Sequence, residues 1–262
     1  MEHEIVPATH KTLAEIEKWL DEEEATYLAE RKAWKAGGCQ GNQPAKGFRC
    51  NWDSAKRWLS EGHTQIWVLL VDASAVGFLV GKDILEIHPS LRGKGYGRLL
   101  AEFMVQKAFD DGFSVLEIGV ALSTAEPFWE RMGFTIKPDR RGPGGGIFAF
   151  RILPRTFPLG DGERVPYAVE FFTENSRYSN PPTPFAVFSG TGERLSDGSI
   201  QLPERAYCFW PDEAGHIDYF VRLSLDGKTL LFDKVKYSQS QKCGVEKDKG
   251  YTFIVDRITP PK

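Results

Sequence analysis

The chain has 262 residues, 41% of them hydrophobic and 26% charged, enough for one large domain or two ordinary ones. Thirty-three Lys and Arg against 36 Asp and Glu leave a net charge of -3, which argues against nucleic-acid binding driven by bulk charge. No apolar run approaches the roughly 20 residues of a membrane span, and the polar start Met1-Glu2-His3-Glu4 does not read as a signal peptide.

Along the chain, Ile5-Val6-Pro7 reads as a short extended segment. Thr12 and Glu15 form a predicted capping box, and Leu13, Ile16 and Leu20 follow at helical spacing. That pattern runs through Tyr27 and Trp34 to the stop at Gly37-Gly38. Residues 37–47 are loop by composition, and 53–59 a second short helix. The unbroken apolar run 66–71 suits a strand buried on both faces. Asp72-Ala73-Ser74 turns it back into 76–80, and Gly81-Lys82-Asp83 turns that into a strand over 84–88. Past Pro89 a helix is expected to begin within 95–97, burying Leu99, Leu100, Phe103, Met104 and Ala108 and closing at Gly112. A strand at 114–120, a helix at 124–132 and paired strands at 134–136 and 147–153 complete an α/β unit. Its order is β-α-α-β-β-β-α-β-α-β-β.

After Leu153 the pattern changes. Pro154, Pro158 and Gly160-Asp161-Gly162 mark a linker, and no helical period stands out beyond it. Strand-like runs fall at 167–172, 185–188, 206–210, 217–225, 230–235 and 251–255, with Asp197-Gly198 and Asp226-Gly227 as hairpin turns. Two domains are therefore expected: an α/β domain over 1–155 and a small all-β sandwich or barrel-like domain over 156–262. Cys39, Cys50, Cys208 and Cys243 form no C-x-x-C pair and no His joins them at zinc spacing. They read as reduced thiols of a cytoplasmic protein without a metal site.

The segment carrying chemistry is Arg92-Gly93-Lys94-Gly95-Tyr96-Gly97, between a predicted strand and helix. The first N–H groups of a helix lack internal acceptors, and the helix dipole adds partial positive charge there. Glycine lets a phosphate approach those groups without a Cβ in the way. Arg92, Lys94 and Arg98 add formal charge at the same point. No G-K-[ST] ending is present, so this is not a Walker A loop, and the spacing Gly93-x-Gly95-x-Gly97 is not the dinucleotide fingerprint.

Residues 87–97, Ile87-His88-Pro89-Ser90-Leu91-Arg92-Gly93-Lys94-Gly95-Tyr96-Gly97, resemble the acetyl-CoA segment of GNAT N-acetyltransferases. The family pattern R/Q-x-x-G-x-G/A is met by Arg92, Gly95 and Gly97. Further on, Phe128-Trp129-Glu130-Arg131-Met132-Gly133-Phe134 resembles the family ending "YEKLGF". The resemblance covers about residues 1–155 and implies a mixed sheet splayed between the strands ending at His88 and Val120, flanked by helices. It implies acetyl-CoA in that cleft, its pyrophosphate on the N–H groups of Gly93 to Arg98 and its pantetheine along Glu86, Ile87 and His88.

Acetyl transfer to an amine needs positioning, a base and a proton for the leaving thiolate. Glu117 matches a family base position, and Glu86 and His88 are alternate residues on the neighbouring strand; these three are the base candidates. Trp129 stands where the family often has the Tyr acid, and an indole N–H cannot supply that proton. Trp129 is read as packing against cofactor or helix, with solvent, Tyr96 or Ser123 left for the acid step. Leu122 replaces a frequent family Asn. Asp21-Glu22-Glu23-Glu24 reads as a solvated helix face that would favour a cationic amine if turned to the cleft. Phe48, Trp52 and Trp58 lie where the family builds the acceptor site. The reading is an N-acetyltransferase acting on a primary amine of a small molecule or protein, with no nucleic-acid or membrane partner and a homodimer left open. The alternative is a weak or inactive acyl-CoA-binding sensor or scaffold acting through the β domain. That domain shows no chemistry: His216 and Asp218 alternate on a strand, and Tyr207, Phe209, Trp210 and Tyr219 are expected to be exposed and to line an acceptor pocket or an interface.

Overall fold

The computed structural model describes residues 2–82, 84–212 and 218–261. Asp83, His216 and Ile217, and with them parts of one predicted turn and one predicted strand, lie outside the described residues. Contacts divide the chain into two compact units. One comprises Met1–Lys107, Ile118–Ile136 and Arg141–Ala149; the other Ala108–Glu117, Lys137–Arg140 and Phe150–Lys262.

The α/β elements follow the expected order. They are β1 (His3–Pro7), α1 (His10–Ala36), α2 (Arg49–Ser60), β2 (Ile66–Val71), β3 (Ser74–Val80), β4 (Ile84–Ile87), α3 (Tyr96–Asp110), β5 (Val115–Val120), α4 (Glu126–Arg131), β6 (Thr135–Arg141) and β7 (Ile147–Ile152). β1-β2-β3-β4 form one antiparallel sheet, with Phe78 opposite Glu86 and Gly77 opposite Ile87. A separate sheet runs β5-β7-β6, so among the described residues no pairing joins β4 to β5, as a splayed sheet requires.

The start of α1 corrects one expectation. The cap is Thr9, not Thr12: the Thr9 carbonyl accepts the first helical bond from Leu13 N (2.9 Å), and Thr9 and Thr12 complete the capping box reciprocally. Glu15 instead accepts from Ala75 N at 3.1 Å, which pins α1 to the start of β3. α2 begins at Arg49 rather than 53, because Arg49 ties Asp53 on its own helix (3.1 Å) to Glu17 (3.6 Å) and Asp21 on α1. Lys56 adds a 2.6 Å contact to Glu17.

Between these helices and the first sheet lies a core of Ile16, Trp19, Leu20, Phe48, Trp52, Ala55, Val68 and Phe78. The Phe78 ring sits 5.0 Å from Trp52, 5.5 Å from Phe48 and 5.8 Å from Trp19. Each buried side chain of this size contributes roughly 1.5–3 kcal/mol by leaving water. Phe48 and Trp52 are thus core, whereas Trp58 is 38% exposed. On α3 the buried residues are Leu100, Ala101, Met104 and Ala108; Leu99 and Phe103 are half-buried, Phe103 lying edge-on to Trp67 at 5.0 Å. A Cβ at Gly77 would lie 2.8 Å from the Glu86 carbonyl oxygen and 3.2 Å from Leu100 Cδ1, so glycine there lets β4 and α3 close up.

The all-β domain is a single curled, half-barrel sheet rather than two facing sheets. Its strands are β8 (Arg164–Phe172), β9 (Ala186–Arg194), β10 (Ile200–Cys208), β11 (Phe220–Leu225), β12 (Lys228–Lys234), β13 (Val245–Lys247) and β14 (Phe253–Ile258), in the order β12-β11-β8-β9-β10-β14-β13. Both Asp-Gly pairs are turns: Asp226-Gly227 joins β11 to β12 with φ of 48° and 73°, and Gly198 (φ 86°) lies between β9 and β10. β13 and two helices, α5 (Glu174–Arg177) and α6 (Ser238–Lys242), escape the sequence reading because three to five residues are too few to show a period.

Tyr207, Phe209, Trp210 and Tyr219 are half-buried rather than exposed. They pack in aromatic pairs, Tyr207 on Phe188 (4.9 Å), Phe209 on Phe150 (5.0 Å), and Trp210 and Tyr219 on Phe185 (5.1 and 5.6 Å). Asp218 holds Lys234 at 2.6 Å and also pairs with Lys236, and these cations lower its pKa.

Candidate active site

β4 ends at Ile87, one residue earlier than expected, and His88-Pro89 turns the chain into a single 3-10 turn, Pro89–Leu91. His88 caps that turn, its Nδ1 accepting from Ser90 N at 3.3 Å, while its ring lies 5.4 Å from Trp19. Gly93 and Gly95 then take φ of 78° and 90°, and nothing lies within 4 Å of where a Cβ would stand on either. This left-handed backbone is open to glycine and strained for other residues. α3 starts at Tyr96, with Arg98 N already bonded to Gly95 O at 3.0 Å. Gly97 has ordinary φ, and a Cβ there would meet Ile87 and Phe128 at 3.7 Å, normal contact distance. Residues 92–95, just before α3, are exposed, and the partial positive charge of the helix N-terminus follows them; the Arg98 amide, expected among the free groups, is already taken by Gly95 O.

The side chains divide their roles. Lys94 is exposed, and Arg98 reaches Glu102 one helical turn on at 2.7 Å. Arg92 folds the other way: its Nε donates to the Ile87 carbonyl at 3.1 Å, and its Nη2 lies 2.8 Å from Glu23 and 3.5 Å from Glu86. Glu86 is 30% exposed at the side chain. Burial pushes its carboxyl up to about 7, with Arg92 opposing and Glu23 reinforcing the rise. Glu86, His88 and Arg92 thus come together at the end of β4. Glu117 is half-buried on β5, in the Ala108–Glu117 segment of the other unit.

A turn of this build, beside a β4 edge that no described strand pairs, is what the resemblance implies for an acyl-CoA site. Residues 7–134 match the model of the acetyltransferase (GNAT) family. They are a GNAT-family acetyltransferase domain. Among solved structures, the chain is similar to a GNAT-family acetyltransferase of Staphylococcus aureus Mu50, with 11% identity, 58% of this chain and 99% of that one covered, and a TM-score of 0.40. It is also similar to the PaiA N-acetyltransferase of Thermoplasma acidophilum in complex with coenzyme A, with 15% identity, 58% and 100% covered, and a TM-score of 0.42. No match is found among curated proteins.

In this GNAT domain α4 follows a 3-10 turn, Ser123–Ala125, so the predicted helix over 124–132 is split and shorter. Trp129 is 8% exposed, wedged between Phe128 (4.9 Å) and Phe134 (5.2 Å), and it is Phe128 that reaches the Gly97 position. Leu122 is exposed on the turn after β5. Two features escaped the sequence reading. Glu23 is singled out from its acidic run only by the fold, and the Gly-rich loop after β6 lies directly on β5. A Cβ at Gly119 would overlap the Pro143 carbonyl oxygen, and one at Gly146 would lie 2.7 Å from the Val120 carbonyl. Among the described residues no group of three or more His, Cys, Asp and Glu could hold a metal ion, and no helix is long and apolar enough to cross a membrane.

Proposed function

We propose that the chain is an N-acetyltransferase that moves the acetyl group of acetyl-CoA onto a primary amine of a small molecule or protein. The observation that carries the reading is the exposed turn from Arg92 to Gly95, with two left-handed glycines feeding a 15-residue helix, inside a GNAT-family domain. The residues fit the cofactor: both glycines leave open space for a pyrophosphate, and Lys94 and Arg98 supply charge around it. β4 is bonded only to β3 among the described strands, so its other edge is open to the pantetheine arm, although the His88 amide is given to Val76 and the Ile87 carbonyl to Arg92.

Acetyl-CoA supplies an already activated thioester. The protein then has to orient the amine and take its proton. Glu86 serves as the base, directly or through one water, because a carboxyl titrating at about 7 is ionised in part at neutral pH and basic enough to accept a proton. Trp129 stays a packing residue, and the thiolate is protonated by solvent, Tyr96 or Ser123. Glu23 Oε2, beside Arg92, is buried without a hydrogen-bond partner among the described residues and is the group there suited to a cationic amine. The four free cysteines agree with a cytoplasmic protein.

Calorimetry with acetyl-CoA, paired with a thiol-release assay over a panel of amines, tests this. Saturable binding with turnover of at least one amine, lowered about 10²-fold or more in kcat/KM by Glu86→Gln, is the expected result. Binding with no turnover on any amine would instead support a scaffold or sensor that holds acyl-CoA. No binding at all would contradict both readings.

A further inference from the structure

We propose that Glu23 is a positioning residue for this reaction: from α1 it holds the Arg92 guanidinium across the end of β4 beside Glu86, so that the residue opening the pyrophosphate turn also governs the base. The proposal rests on Glu86 being that base.

The geometry is specific. Of the acidic run on α1, Asp21 is committed to Arg49 on α2, whereas Glu23 turns to Arg92, beyond the end of β4. Trp19, one helical turn earlier on the same face, carries its ring to within 5.4 Å of His88. Glu23 is only 16% exposed, on a helix anchored by its own cap and by the contacts of Glu15 and Glu17. The Arg92 guanidinium is fixed from two sides, by the Ile87 carbonyl at 3.1 Å and Glu23 at 2.8 Å, which leaves Nη2 3.5 Å from Glu86. Glu23 and Arg92 are the charged groups acting on the Glu86 carboxyl; β3 faces it with Phe78, and His88 follows two residues on along the same chain. The two act in opposite senses, the carboxylate favouring the protonated acid and the guanidinium the anion. An anion bound at the turn competes with the two carboxylates for Arg92, so cofactor binding and the state of the base are linked.

The test is a carboxyl NMR titration of the full chain labelled at glutamate, with the Glu86 signal assigned by its loss in Glu86→Gln. Glu23→Gln removes the nearer carboxylate while the Ile87 carbonyl still holds Arg92, which leaves the guanidinium to Glu86 alone. The Glu86 midpoint is therefore expected to fall by about one pH unit. Arg92→Gln, which the family pattern tolerates at the turn, is expected to move it up by about as much. Acetyl-CoA should raise the midpoint in the native chain more than in Arg92→Gln. A midpoint unchanged by Glu23→Gln, shifts of the same sign in both variants, or an equal cofactor effect in both backgrounds would overturn the proposal. Backbone amide shifts of the turn report cofactor binding separately. Their absence would contradict the proposed function, while the signed shifts in the free protein still decide the role of Glu23.

Discussion

At the scale of single residues, Glu86, the base we propose, is where stability and the proposed chemistry conflict. Its carboxyl titrates at about 7 in the folded chain against an ordinary 4.5, so the folded state binds the proton more tightly than the unfolded state does. That stabilisation is fully present below about 4.5 and is lost as pH rises through about 7. Glu86→Gln, neutral at every pH, should therefore make the chain more stable than the native protein at pH 8, on the order of 1 kcal/mol after solvent screening, and match it near pH 4. Urea denaturation at both pH values checks this, and a difference that does not change with pH would refute it. The sequence shows Glu86 only as one of three base candidates. What separates it is Arg92 folding back along β4 and Glu23 arriving from sixty residues away, and no local pattern encodes a contact of that range.

At the scale of elements, the legible parts were those with a period or a stop. The 27-residue α1, the apolar β2 and the glycine-opened α3 carry apolar spacing, caps or turn residues that act locally. The misplaced starts have tertiary or ambiguous causes. Thr9 and Thr12 are both cap residues, and only the Thr9 carbonyl accepting from Leu13 separates them; α2 is extended by an Arg49 network that crosses to α1. The loop after β6 is the same kind of case. Its composition, rich in Gly and Arg, marks a loop and no more, yet the glycines let backbone lie on backbone at Gly119 and Val120. Gly119→Ala should accordingly destabilise the chain by more than about 2 kcal/mol, since the Pro143 carbonyl cannot move aside as a side-chain tip can. A thermal unfolding midpoint within a degree or so of the native value would show that the loop is free to shift.

At the scale of the molecule, the α/β topology was readable because its order of elements is itself a signature. For the β domain only the class of structure was readable. Short strands and Asp-Gly turns predict an all-β unit, but whether seven strands form one curled sheet or two facing ones depends on long-range pairing such as β8 with β11, across some fifty residues. Its aromatic side chains looked available for a ligand and are spent on its own packing. The central claim therefore stays with the GNAT-family domain and its turn, and one titration of the whole chain addresses it. Acetyl-CoA should bind the native chain and Gly97→Ala with similar affinity, because a Cβ at 97 meets only ordinary contacts at 3.7 Å. It should bind Gly95→Ala at least about tenfold more weakly, because φ of 90° is strained for alanine. Native-like affinity in Gly95→Ala, or no saturable binding to the native chain, would contradict the account.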